Sequence, residues 1–124
     1  MPTTKLPNYL RAERKRRGLS QEEIAFLLGC ESGAKVSRYE RFRREPKLAT
    51  ALAYEALFAT SVHDLFAGVA EEAERATRKR ARRLLRRLAM QTRHPAVEQK
   101  LATLRVLADN PPVEEVRYEP LRSQ

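Results

Sequence analysis

The side chains of this 124-residue chain that can do chemistry are mostly cations. Lysine and arginine number 25 against 16 acidic residues, which leaves a net charge of +9. Two runs concentrate them. Lys35, Arg38, Arg41, Arg43 and Arg44 fall within ten residues, and Arg75 to Arg93 holds nine basic residues and no acidic one. Such groups pair with phosphates, gaining from the release of condensed counterions, and arginine or lysine can also donate to guanine O6 and N7. Covalent chemistry has far less to work with. The two histidines, single cysteine (Cys30) and scattered carboxylates show no nucleophile–base or metal-ligand spacing. There is no glycine-rich phosphate loop and no His-x-x-x-His pair. The expectation is a binding protein for a polyanion, not an enzyme, with no cofactor and no metal. Charge alone also fits a merely solvated surface, so the elements that carry these side chains must decide.

The stretch from Leu19 to Glu40, LSQEEIAFLLGCESGAKVSRYE, reads as two short helices joined by a tight turn. Ser20 is a good N-cap, and Glu23 three residues on completes a capping box. Ile24, Ala25, Leu27 and Leu28 form an apolar face at helical spacing. Gly29 ends the helix where positive φ is needed. Ser32 is a second N-cap, opening a helix from Gly33 to Phe42 with Val36 and Tyr39 inward. This is a helix-turn-helix arrangement, whose second helix enters the DNA major groove and reads bases with its N-terminal residues and next outward turn. The base-reading candidates are Gly33, Ala34, Lys35, Ser37 and Arg38. Ala34 suits a thymine methyl, Lys35 and Arg38 suit guanine, and Ser37 is ambiguous. Arg41, Arg43 and Arg44 follow as a phosphate clamp.

LRAERKRRGLSQEEIAFLLG followed by VSRYE resembles the Cro/C1-type (Xre-like) regulator family over roughly Asn8 to Phe66. The resemblance implies a five-helix lambda-repressor-like DNA-binding domain. It also implies an ion pair between Arg14 and Glu40, which fixes the recognition helix, and a phosphate contact from Gln21, at the first turn of a helix lying across the backbone. Two departures from the family pattern stand out. The turn holds Cys30 and Glu31 where one residue is usual. Phe42 stands where glycine is common, which suggests a different exit from the recognition helix or an extra hydrophobic contact.

The remaining chain is expected to be all-α. Met1 to Pro7 reads as a disordered arm, and Asn8 caps a basic first helix that Gly18 stops. Leu48 to Phe58 is apolar almost all round and should be a buried helix; Ser61 caps a short one. Gly68 ends the compact unit, giving a DNA-binding domain over 1–68. A helical segment over 69–109 follows, an αα-hairpin whose first helix runs from Val69 to about Thr92. Leu84, Leu88, Leu101 and Leu104 lie on apolar stripes that need a partner, either a second copy or another protein. Residues 110–124, with three prolines, read as an extended tail. No run reaches membrane-spanning length and the first residues show no apolar signal core, so the expected location is cytoplasmic. The leading function is a regulator, repressing as a homodimer on an inverted repeat of double-stranded DNA. Two alternatives stay open: an RNA-binding protein using the arginine-rich helix 75–93, or an antitoxin-like interaction module with autoregulatory DNA binding.

Overall fold

The computed structural model describes residues 5–90 and 95–109, and the expected tail lies outside them. Among the described residues there are seven helices and no strand: α1 (Leu10–Arg16), α2 (Gln21–Leu28), α3 (Gly33–Glu40), α4 (Leu48–Phe58), α5 (Val62–Leu65), α6 (Ala67–Leu88) and α7 (Pro95–Asp109). None is long and apolar enough to cross a membrane. The residues divide into two compact units that meet in sequence after Ala70.

The first unit is held by a core with Leu10, Ile24, Val36, Tyr54, Phe58 and Leu65 at its centre, all but fully buried. Burial of each contributes about 1.5–3 kcal/mol, and together they fix how the short helices meet. Tyr54 sits edge-on to Tyr39, with ring centroids 6.4 Å apart, and tilted against Phe58 at 5.6 Å. Its hydroxyl is buried and makes no hydrogen bond among the described residues, and that burial pushes the phenol well above its ordinary pKa. The ring is therefore a neutral packing element at any physiological pH.

Two expectations about exposure fail. Leu27 of α2 and Leu48 and Leu52 of α4 face solvent, as does Phe26, which is 84% exposed. The reason is geometric. α4 meets the core through Ala51, Tyr54 and Phe58, one stripe of a helix that is apolar on several sides, so the other apolar positions lie off the contact. Residues 1–4 of the expected disordered arm lie outside the described residues, while Leu6 is tied into the fold. Leu6 accepts a hydrogen bond from the Gly68 amide at 2.9 Å, and its own amide donates to the Tyr9 hydroxyl at 3.2 Å. Gly68, the expected end of the compact unit, is the second residue of α6, and a Cβ there would come within 2.5 Å of the Leu6 carbonyl oxygen. Lacking one, it lets the arm lie against the helix.

Phe42 corrects another expectation. Its φ is +53°, so phenylalanine adopts the left-handed backbone that glycine usually supplies. The Phe42 amide donates to the Tyr39 carbonyl at 3.0 Å and the Arg43 amide to the Arg38 carbonyl at 2.8 Å. These are the two bonds of a Schellman ending, also seen at Gly29, where φ is +75°. The helix exit is thus retained, with backbone strain. Phe42→Gly should therefore be more stable than Phe42→Ala by about 1 kcal/mol, the reverse of the usual order, because both lose the ring and only glycine relieves the strain. Thermal melts of the two variants check this; an alanine variant as stable as the glycine one would remove the strain.

In the second unit, Ala81 and Leu88 of α6 and Leu101 and Ala108 of α7 are buried. α6 stops at Leu88, short of the expected Thr92.

Candidate nucleic-acid interface

The geometry begins at the first turn of α2. The Glu23 amide donates to Ser20 Oγ at 3.0 Å and the Ser20 amide to Glu23 Oε1 at 2.8 Å, a complete capping box. Gly29 reverses the chain and Cys30 packs against the core. The next cap differs from the expected one. Ser32 has an extended backbone but its side chain caps nothing. Instead the Gly33 amide donates to Glu22 Oε1 at 2.9 Å. A Cβ on Gly33 would lie 2.6 Å from that oxygen and 3.2 Å from the Gln21 carbonyl carbon. Gly33 is therefore buried against the first turn of α2, where it sets the approach of the two helices; it is not presented as a base reader.

Beyond Gly33, α3 separates its residues cleanly. Val36 and Tyr39 are in the core, whereas Ala34, Arg38 and Arg41, at i, i+4 and i+7, are exposed along one face. Lys35 and Ser37 flank that face half-exposed, and Arg43 and Arg44 are exposed just beyond the helix. Behind the face lies an ion pair. Arg14 Nε donates to Glu40 Oε2 at 2.6 Å and a terminal nitrogen to Oε1 at 3.1 Å, while its other terminal nitrogen donates to the Leu19 carbonyl at 2.9 Å. The side chains are 11% and 2% exposed. The Glu40 hydrogen bond holds the Arg14 guanidinium above its ordinary pKa against the opposing effect of burial. Gln21 joins this network, donating to Glu40 Oε1 at 3.1 Å. Together with Arg11, Ser20, Ser37 and Arg41, these three residues line an open polar cleft between α1, the start of α2 and α3.

A protein-family model described as Helix-turn-helix matches residues 10–65, the interval that contains these elements. Over this interval the chain is similar to Cro/C1-type helix-turn-helix domains. Comparison with curated proteins and with solved structures gives no match. The match supports a DNA-binding helix-turn-helix regulator, with α3 in the place of the motif's second helix.

Several residues of the helix-turn-helix have roles that sequence reasoning misses. Asn8 is buried, its Oδ1 accepting from the Leu10 amide at 3.1 Å and its Nδ2 donating to the Tyr39 carbonyl at 2.9 Å. The N-cap of α1 is Tyr9 and not the expected Asn8, whose side chain instead ties the start of α1 to the end of α3. Arg17 belongs to the scaffold: it donates to the Phe58 carbonyl at 2.6 Å, lies over the Phe58 ring at 4.9 Å and pairs with Glu13. Glu13 also holds Arg16. Arg11 and Lys15 are thus the α1 cations without an ion pair among the described residues. Glu22 carries no signal in the sequence, because an exposed glutamate in a first turn looks like ordinary helix-dipole complementation.

The four leucines expected to form a partner surface divide. Leu88 and Leu101 are buried within the chain itself and do not form a free surface. Leu84 and Leu104 line an open groove between α6 and α7, together with Ala96, Gln99, Lys100 and Thr103.

Proposed function

We propose that the chain is a sequence-specific transcriptional regulator that binds an inverted-repeat operator as a homodimer through the major groove and represses by occupancy. The observation that carries this reading is the split of α3: Ala34, Arg38 and Arg41 exposed in a line, with Val36, Tyr39 and Glu40 anchored behind them. An anchored helix presents its outward side chains in one orientation, and discrimination between bases requires that. Lys35 and Ser37 flank the reading face. Gln21, Arg41, Arg43 and Arg44 are assigned to phosphates, with Arg11 added from its place in the same cleft.

The dimer follows from the same chemistry. One recognition helix covers few base pairs, and two heads on half-sites one helical turn apart give a two-fold symmetric operator. DNA reading belongs to residues 1–68 and self-association to 69–109. Leu84 and Leu104, with the exposed Met90, Val106 and Leu107, are apolar positions left open there. Occupancy alone suffices for repression, with no catalytic step. The working compartment is the cytoplasm, where such DNA lies.

The test is selection of bound fragments from a random duplex pool at fixed salt, with a single-stranded RNA pool alongside. Fixed salt matters because nonspecific binding by a basic protein falls steeply as salt rises. The expected result is a two-fold symmetric DNA motif. Enrichment of RNA without any duplex motif would overturn the reading.

A further inference from the structure

The helix-turn-helix leaves the most strongly charged surface of the chain unused. In the second unit, Lys79, Arg80, Arg82, Arg83, Arg86 and Arg87 of α6 are all exposed, and none makes an ion pair among the described residues. Arg75 differs, being held by Glu71 and Glu72 at 2.9 Å each. Lys79, Arg82, Arg83 and Arg86 stand at i, i+3, i+4 and i+7, a single stripe about 10 Å long on a helix rising about 1.5 Å per residue. Ala81 and Leu88 of the same helix are buried, so the helix has one face in a core and the other wholly cationic.

This arrangement is costly in the free protein. Lys79 with Arg83, and Arg82 with Arg86, are like charges at i, i+4, and each pair destabilises the helix slightly. A bound polyanion reverses the sign of that effect. We infer that the Lys79–Arg82–Arg83–Arg86 stripe of α6 is a second, sequence-independent binding surface for the phosphate backbone of duplex DNA.

The chemistry selects the partner. No phenylalanine, tyrosine or tryptophan occurs between residues 71 and 109, so this unit lacks the rings on which unpaired bases stack, the usual basis of single-strand binding. Insertion into an anionic membrane surface would need a continuous free apolar face on the same helix, and that face is largely covered, with Ala81 and Leu88 buried and Leu84 open between them. A regular array of phosphates is the remaining fit. Because the stripe and the recognition helix belong to one chain, binding by either raises the local concentration of duplex for the other.

The inference rests on the DNA-binding reading, but the two fail separately. The full-length chain and its Lys79→Gln, Arg82→Gln, Arg83→Gln, Arg86→Gln variant are titrated with a random-sequence duplex of about 40 base pairs at several salt concentrations. The variant should bind about tenfold to a hundredfold more weakly at low salt, and its logarithmic salt slope should fall by about three to four units, roughly 0.9 for each phosphate no longer neutralised. Its thermal midpoint should stay the same or rise, since glutamine is a good helix former and the repulsion is gone. Its base preference in pool selection should be unchanged. Should the fourfold variant fold poorly, Arg82→Gln and Arg86→Gln singly decide the matter, each lowering the slope by about one unit. An unchanged duplex slope overturns the inference. Loss of RNA binding with the duplex slope intact also overturns it and assigns the stripe to RNA. Absence of any symmetric motif in the selection would sink the operator reading while the slope still judges α6.

Discussion

Arg14→Ala should unfold most of the DNA-binding unit at room temperature, or lower its melting midpoint by well over 10 °C. The guanidinium is the main partner of a carboxylate only 2% exposed, and without it Glu40 keeps just the hydrogen bond from Gln21. Removing one partner of a buried pair leaves an uncompensated charge and costs about 3–5 kcal/mol. The Leu19 carbonyl loses its donor at the same time. Small domains have total stabilities of about 0.05–0.15 kcal/mol per residue, so the loss is comparable with all that this unit has. The control is the double variant Arg14→Met, Glu40→Met. It removes both charges and should regain most of the stability, because a buried pair adds little net over apolar groups of similar size. Denaturant melts of the three proteins settle this. A single-variant cost below about 1 kcal/mol would mean that the pair behaves like a surface bridge. A double variant as unstable as the single one would place the damage elsewhere. If the double variant folds but binds its operator poorly, the pair's contribution is to hold the angle of α3.

Much of this arrangement is readable from residue types. The capping box needs only Ser20 and Glu23 at the right spacing, and both hydrogen bonds form. The buried positions Ile24, Val36 and Tyr39 follow from helical periodicity. Those features are local, governed by neighbours within one turn. Identification of the family likewise rests on a local run of linked motifs.

The features that residue types misrepresent depend on where distant backbone comes to rest. Gly33 looks like an open helix start, and only the position of Glu22 against it shows that it is a point of contact between helices. Gly68 looks like a terminator, yet it lies inside α6, where its missing Cβ lets Leu6 come close. Phe42 shows that a helix exit can be kept without glycine when the following hydrogen bonds fix the backbone. The leucine stripes of α6 and α7 cannot stand in water, and periodicity says as much. It does not say that Leu88 and Leu101 are covered within the chain while Leu84 and Leu104 line a groove. Arg17 resembles every other arginine of α1 until Phe58 is brought beneath it.

Among the cations around α3, charge alone does not separate readers from clamps, but position does. Arg38 is exposed on the face shared with Ala34, whereas Arg43 lies past the helix end. Their backbones are tied together by the Arg43 amide donating to the Arg38 carbonyl at 2.8 Å, a bond that alanine at either site preserves. Substitution therefore tests the side chains and leaves the helix exit in place. Arg38→Ala should cost about 1–3 kcal/mol of binding to the selected operator, roughly 5-fold to 150-fold in affinity. It should also relax preference at one base position in each half-site, with little loss on random duplex. Arg43→Ala should weaken binding to all duplexes alike and reduce the logarithmic salt slope by about one unit without changing base preference. Affinities for operator and random duplex at several salt concentrations distinguish the two patterns. Equal losses on both duplexes for Arg38→Ala would move Arg38 into the clamp and leave Ala34, Lys35 and Ser37 as the readers. A salt slope unmoved by Arg43→Ala would take Arg43 out of the phosphate contacts. Because the expected changes differ in kind, a general loss of folded protein cannot imitate the pair of them.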